Sequence, residues 1–255
     1  MAPTFRPLLL ALAFACSAVP NLAAAGQATV AVAANFLPAL ETLQRQFERS
    51  GAHALALVPA STGQLYAQIA KGAPFDVLLS ADQDTVARLV AEARADGSTR
   101  FTYAVGTLVL FTRDTAKFAP LTLNALRRPD FRWLAIANPD LAPYGRAARQ
   151  TLEALGLWQP LQPKLVLGQS IAQTFALAAT RNADLALVAL SQAKTYQEPA
   201  AYVPVPEELH APLLQDAVLL GHGRGNAAAR AFLEFLHGAA AARTLVEFGY
   251  LPGAP

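Results

Sequence analysis

The chain has 255 residues, of which 54% are hydrophobic and 15% charged. That suffices for one large domain or two lobes around a sizeable core, and it excludes a disordered protein. A net charge of +2 is too small to argue for a nucleic acid or a membrane surface as partner, and a single cysteine, Cys16, rules out a disulfide within the chain.

The first residues carry Arg6, then the apolar run "LLLALAFACSAV" (8–19), then small residues at Ala23 and Ala25. The run is too short to span a bilayer, and the pattern is that of a secretory signal peptide cut near Ala25. Residues 1–25 are thus expected to be a targeting segment. A lipoprotein acylated at Cys16 is the rival reading, and Ala13 and Phe14 ahead of the cysteine fit it poorly.

From Gly26 onward strands and helices alternate. "ATVAVAA" predicts a strand, and Phe36, Leu37, Leu40, Leu43 and Phe47 recur at helical spacing over 36–49. "ALALVPA" (54–60) predicts a strand feeding the helix "STGQLYAQIAKG", which closes at Gly72. "FDVLLSA" is the next strand, and "DQDTVARLVAEAR" a helix with Asp82 or Asp84 near its start. "YAVGTLVLFTR" and "FRWLAIAN" read as strands, "YGRAARQTLEALGLW" as a helix, and "PKLVLG" as a strand. "SIAQTFALAATRN" is a helix, "ADLALVAL" and "DAVLLGH" are strands, and two helices finish the chain. The proline-rich "YVPVPEELHAPLLQ" interrupts this order and reads as a crossing segment. Repeated βα units of this kind predict an α/β architecture with largely parallel sheets.

Four strand-to-helix junctions share a feature. They carry Asn35 in "AANF", Ser61 in "PASTGQ", Pro143, Tyr144 and Gly145 in "NPDLAPYG", and Ser170 and Ile171 in "LGQSIAQ". Each brings a capping residue or a small turn, and no charge, to the carboxyl end of a strand, where ligands bind in open parallel sheets. A helix start there offers unpaired N–H groups and a partial positive charge, which together suit an anion. Capping alone is the plain reading of any one of these residues. Their coincidence across a cleft is what favours a site.

Other chemistry finds little support. Asp76, Asp82 and Asp84 lack a His or Cys partner set or a Ca²⁺-loop spacing, and read as strand-end and helix-start residues. His53, His210, His222 and His237 are scattered, and "GHGRGN" (221–226) lacks the ending of a phosphate loop. No serine sits in a G-x-S-x-G elbow, so no nucleophile is expected and the chain does not read as an enzyme. Phe232 and Phe235 are at helical spacing and read as core; Arg146, close after Tyr144, reads as helix surface or as the mouth of a cleft.

The segments "VAVAANF", "PASTGQLYAQIAKGAPFDVLLSAD", "ANPDLAPYG" and "GQSIAQTFALAATRNADLALVALSQ" resemble the periplasmic molybdate-binding proteins of ABC transporters. The resemblance runs from about Thr29 to Leu251 and is most specific at Gly72, Ala73, Pro74 and "FDVLLSAD". It implies the two-lobed type II periplasmic binding fold, each lobe a mostly parallel sheet flanked by helices, joined by two hinge crossings. Residues 26–105 and 212–255 would form one lobe and residues 106–211 the other. It further implies an oxyanion held by Asn35, by Ser61, by the Tyr144 hydroxyl and by the Ile171 N–H, all through the oxygens and none as a direct metal ligand. Ala34 stands where the family often has a serine or threonine, so it would help only through its backbone. One branch of the family places its tyrosine in the segment matching "ALVALSQ", which has none here, leaving Tyr144 as the candidate. The implied ligand is molybdate or tungstate with no cofactor, the implied partner a membrane permease and not nucleic acid, and the implied protein a periplasmic monomer. Another tetrahedral oxyanion such as sulfate, an enzyme on the same fold, and the sensor domain of a regulator are the alternatives.

Overall fold

The computed structural model describes residues 26–51 and 53–253. The signal-peptide reading and Cys16 lie outside them. Strand β1 (Gln27–Ala33) runs parallel to β2 (Ala54–Ala60) on one side and to β3 (Val77–Leu79) on the other. Helices α1 (Leu37–Ser50) and α2 (Thr62–Ala70) make the two crossovers, and α3 (Asp84–Ala91) leads into the long strand β4 (Ala95–Gly106). The chain then passes Thr107 into a second sheet.

That sheet holds β5 (Leu108–Thr112), β6 (Leu134–Ala137), β7 (Leu165–Gly168), β8 (Leu185–Ala189) and β9 (Ala201–Pro204), in the order β7-β6-β8-β5-β9. Between its strands lie α4 (Pro143–Ala154), α5 (Trp158–Leu161), α6 (Ile171–Ala179) and α7 (Leu190–Thr195). The chain returns as β10 (Leu213–Leu220), inserted antiparallel between β3 and β4, and ends with α8 (Ala227–His237), α9 (Ala239–Glu247) and the edge strand β11 (Leu251–Pro252).

The two sheets and their helices make two lobes, with three departures from the sequence reading. First, the parallel pairing expected of most strands is confined to β1, β2 and β3 in one lobe and β6, β7 and β8 in the other; β4, β5, β9, β10 and β11 pair antiparallel. Second, "YAVGTLVLFTR" is not one strand but the end of β4 and all of β5, in different sheets. The break is at Gly106, where a Cβ would sit 2.2 Å from the Tyr144 hydroxyl and 2.6 Å from the Gln215 amide nitrogen, so the chain passes the site with no side chain. Third, the proline-rich crossing contains β9, which pairs with β5 along its edge, where a proline is tolerated.

Each lobe has its own core. Val30, Val32, Val77 and Leu79 pack under Phe36, Leu40 and Leu43 of the first helical segment and under Phe232 of α8, all fully buried. Burying a side chain of this size contributes about 1.5–3 kcal/mol. In the second lobe Leu108, Leu110, Leu134 and Ile136 pack against Tyr144, Ala148 and Leu152 of α4. This second cluster runs on without a gap into Ala33, Ala34, Ala81 and Leu213 of the first lobe. The lobes are therefore closed on one another. Directed bonds cross the closure: the Gly63 N–H donates to the Leu141 carbonyl at 2.9 Å, and the Ser191 hydroxyl to the Asn35 carbonyl at 2.9 Å.

Candidate anion site between the lobes

The strand ends of both parallel triplets face this closure. Ala34, Asn35, Ser61, Tyr144 and Ile171 all line one small cavity there, together with Ala33, Thr62, Ala81, Ala142 and Pro143. Of these last five, the sequence reading places Pro143 at a helix start and assigns none of them to the site; only Thr62 carries a polar signal. The cavity admits the centre of a water-sized sphere over about 10 Å³, roughly what one water occupies.

Local structure decides what each residue offers. At α1 the helix begins one residue later than its pattern predicts. Phe36 is the N-cap, without a side-chain cap, and Asn35 lies in the turn ahead of it. The Asn35 amide is not aimed at the cavity: Nδ2 donates to Gln215 Oε1 at 2.8 Å and to the Tyr250 hydroxyl at 3.2 Å. That uses both of its protons. The asparagine therefore contributes its backbone N–H, which has no acceptor among the described residues. Ala34 is a correction: its N–H donates to the Ala60 carbonyl at 2.9 Å, so it closes the strand ends together and serves the cavity only as a wall.

Ser61 is the N-cap of α2, in extended backbone. Gln64 reaches back and accepts from the Ser61 N–H at 3.2 Å, while the Ser61 hydroxyl is buried with no hydrogen-bond partner. An unpartnered buried hydroxyl costs free energy on the order of 1–3 kcal/mol. Tyr144 stands in the first turn of α4, behind Pro143, with 1% of its surface exposed. Burial pushes its hydroxyl well above the usual tyrosine range, and Tyr250 adds to the shift while Gln215 and Asn35 oppose it. It therefore keeps its proton at any physiological pH. Ile171 is the first residue of α6, with Ser170 as N-cap. Its N–H has no partner within the helix, and its carbonyl accepts from Gln192 Nε2 at 3.3 Å.

The donors gathered here are thus two hydroxyls, of Ser61 and Tyr144, and the free N–H groups of helix starts and of the Asn35 turn. Every lining residue is neutral. The positive potential comes from the amino ends of α2, α4 and α6 alone. Charge appears only outside, where Arg146 pairs with Asp82 across the closure, beside a separate cleft of about 340 Å³. Of the acids singled out in the sequence, Asp76 accepts from the Thr29 N–H at 2.7 Å and pairs with His222, Asp82 also accepts from the Thr85 N–H at 3.0 Å, and Asp84 opens α3. Among the described residues no His, Cys, Asp and Glu group is placed to hold a metal ion.

Behind the cavity lies a polar cluster that the sequence reading did not find: Tyr103, Ser191, Gln215 and Tyr250, all buried. Its one visible signal is "LLQDAVLL", where two polar residues interrupt an otherwise apolar strand.

Comparison with known proteins gives the family of the chain. Residues 28–251 match the family model of the bacterial extracellular solute-binding proteins. The chain is 41% identical over 229 residues to the molybdate-binding protein ModA of Rhodobacter capsulatus, covering 90% of each chain. It is 41% identical over 232 residues to ModA of Azotobacter vinelandii, covering 89% of this chain and 91% of that one. Among solved structures, the Azotobacter vinelandii periplasmic molybdate-binding protein superposes with a TM-score of 0.82 at 34% identity, over 89% of this chain and 99% of the other.

Proposed function

This chain belongs to the bacterial extracellular solute-binding proteins, and we propose that the solute it binds is molybdate, which it delivers to the membrane permease of an ABC transporter. It is a binding protein and not an enzyme. The observation that carries the reading is the Ser61 hydroxyl, buried without a partner on the wall of a cavity lined by donors. Such an atom is stable when a ligand acceptor completes it. A tetrahedral dianion supplies acceptors in the directions of Ser61, Tyr144 and the helix starts at Thr62 and Ile171, and nothing in the lining asks it for a proton. The 41% identity to two molybdate-binding relatives supports the same ligand.

Tungstate, equal in charge and near in size, binds the same donors. The protein works as a monomer in the periplasm, residues 1–25 being the segment that exports it. The lobes are residues 26–105 with 212–255, and 106–211. They hinge at the two crossings, near Gly106 and in the stretch before Leu213. Neutral donors suit a carrier, because a dianion held by salt bridges leaves slowly.

Calorimetry of the exported chain against molybdate, tungstate, sulfate and phosphate tests the reading. Molybdate and tungstate are expected to bind with closely similar affinity, at least a hundredfold tighter than sulfate and phosphate. Sulfate binding as tightly as molybdate would assign the site to sulfate instead.

A further inference from the structure

Gln215 stands at the back of the cavity, fully buried on β10, where it faces Ala104 of β4. Its contacts fix which way its amide lies. Oε1 receives Nδ2 of Asn35 at 2.8 Å and lies 3.1 Å from the Tyr103 hydroxyl. Asn35 is itself held from the other side, its carbonyl accepting from the Tyr250 and Ser191 hydroxyls at 2.8 and 2.9 Å. With its oxygen taken, Gln215 has only N–H to turn toward the second lobe, and there Nε2 donates to the Tyr144 hydroxyl at 3.4 Å. An amide nitrogen cannot accept. The single proton of Tyr144 is then turned away from Gln215, and Tyr144 lines the cavity.

We infer that Gln215 is a positioning residue. It occupies the acceptor side of the Tyr144 oxygen and so holds that hydroxyl as a donor toward the anion. The inference rests on reading the cavity as an oxyanion site. Donation by Gln215 also polarises the O–H it orients. Because Asn35 and Tyr144 belong to different lobes, the relay is complete only when the lobes are closed. Gly106 permits it, since any side chain there collides with both Tyr144 and Gln215. A tyrosine free to rotate would offer its oxygen as an acceptor, which a monohydrogen phosphate can use and molybdate cannot.

A double-mutant cycle separates this role from plain packing. Molybdate and phosphate affinities are measured by calorimetry for the wild type, Tyr144→Phe, Gln215→Met, Gln215→Leu and the two combinations, with melting temperatures alongside. Gln215→Met is expected to weaken molybdate about tenfold when Tyr144 is present and less than about twofold when Phe replaces it. The molybdate-to-phosphate ratio falls in the single variant. If one Gln215 variant fails to melt cooperatively, the other carries the cycle. Equal losses in both backgrounds, or an unchanged ratio, overturn the positioning role. Unchanged affinity in Tyr144→Phe overturns it as well, because Gln215 would then have nothing to position. A wild type that binds no tetrahedral oxyanion brings down the reading of the site itself, and is told apart from the other failures by that first titration.

Discussion

Two helix starts carry the same four-residue pattern, "STGQ" at 61–64 and "SIAQ" at 170–173, and use it in opposite ways. Both serines are N-caps in extended backbone. At α6 the Ser170 hydroxyl accepts from the Gln173 N–H at 3.3 Å, and the Gln173 side chain accepts from the Gln169 N–H at 2.7 Å. The serine is consumed by its own helix. At α2 the glutamine caps the serine's N–H while the serine hydroxyl stays buried and unpartnered. The helix is served by Gln64, which leaves Ser61 for something outside the chain. A capping box is therefore not one device. Where the glutamine alone meets the helix's need, the hydroxyl is available to a ligand.

The largest expected effect breaks this contrast directly. Ser61→Ala removes a hydroxyl that bonds nothing in the protein, so molybdate affinity drops by roughly 1.5–3 kcal/mol while the melting temperature without ligand stays level or rises. Ser170→Ala does the reverse: the cap is worth roughly 0.5–1 kcal/mol of stability, and affinity changes less than about twofold. Calorimetry and thermal melts on both variants decide the matter; matched behaviour of the two serines would erase the distinction.

A somewhat smaller loss tests the other half of the comparison, the backbone at α6. Ile171→Pro deletes the first helical N–H at a position where proline is well accommodated, behind a residue already extended at φ −145°, ψ 166°. The expected cost to molybdate binding is about 1.5 kcal/mol, the low end for a bond to a charged group, since neighbouring N–H groups of the same helix end remain. Ile171→Ala keeps the donor and is the control. If alanine and proline weaken binding equally, Ile171 acts as a wall alone.

The smallest effect belongs to the charged pair at the rim. Arg146→Met breaks a contact whose arginine is 43% exposed, and exposed pairs contribute about 0–1 kcal/mol, less as salt rises. Stopped-flow release of molybdate should quicken by no more than about fivefold. A larger change would make the pair a principal latch of the closed state.

Much of this was legible in the sequence because it rests on periodicity and on junctions. The strand β1 and the helix after it, the capped start at Ser61, the Pro143 start of α4 and the Ser170 cap of α6 all follow from local pattern. The break between β4 and β5 did not follow from local pattern, because an apolar run reads the same whether it stays in one sheet or crosses to another; only the resemblance implied a lobe boundary there, at 105/106. Asn35 lines the cavity, but its amide bonds away from it, a choice made by Gln215 and Tyr250, 180 and 215 residues distant. Ala34 looked available through its backbone until its N–H met the end of β2. Contacts of this range have no signature in local spacing.

Because every residue that lines the cavity is neutral, discrimination between dianions of equal charge falls to the water they leave behind. Removing the hydration shell of an ion costs more the smaller its radius. A cage of fixed dipoles returns nearly the same interaction to each tetrahedral guest it can touch. The balance then tilts toward the bulkier oxyanion, whose shell is held more loosely. Selectivity for a large dianion over a small one is in this way written partly into bulk water, and the protein's share is to present no charge that would outweigh it.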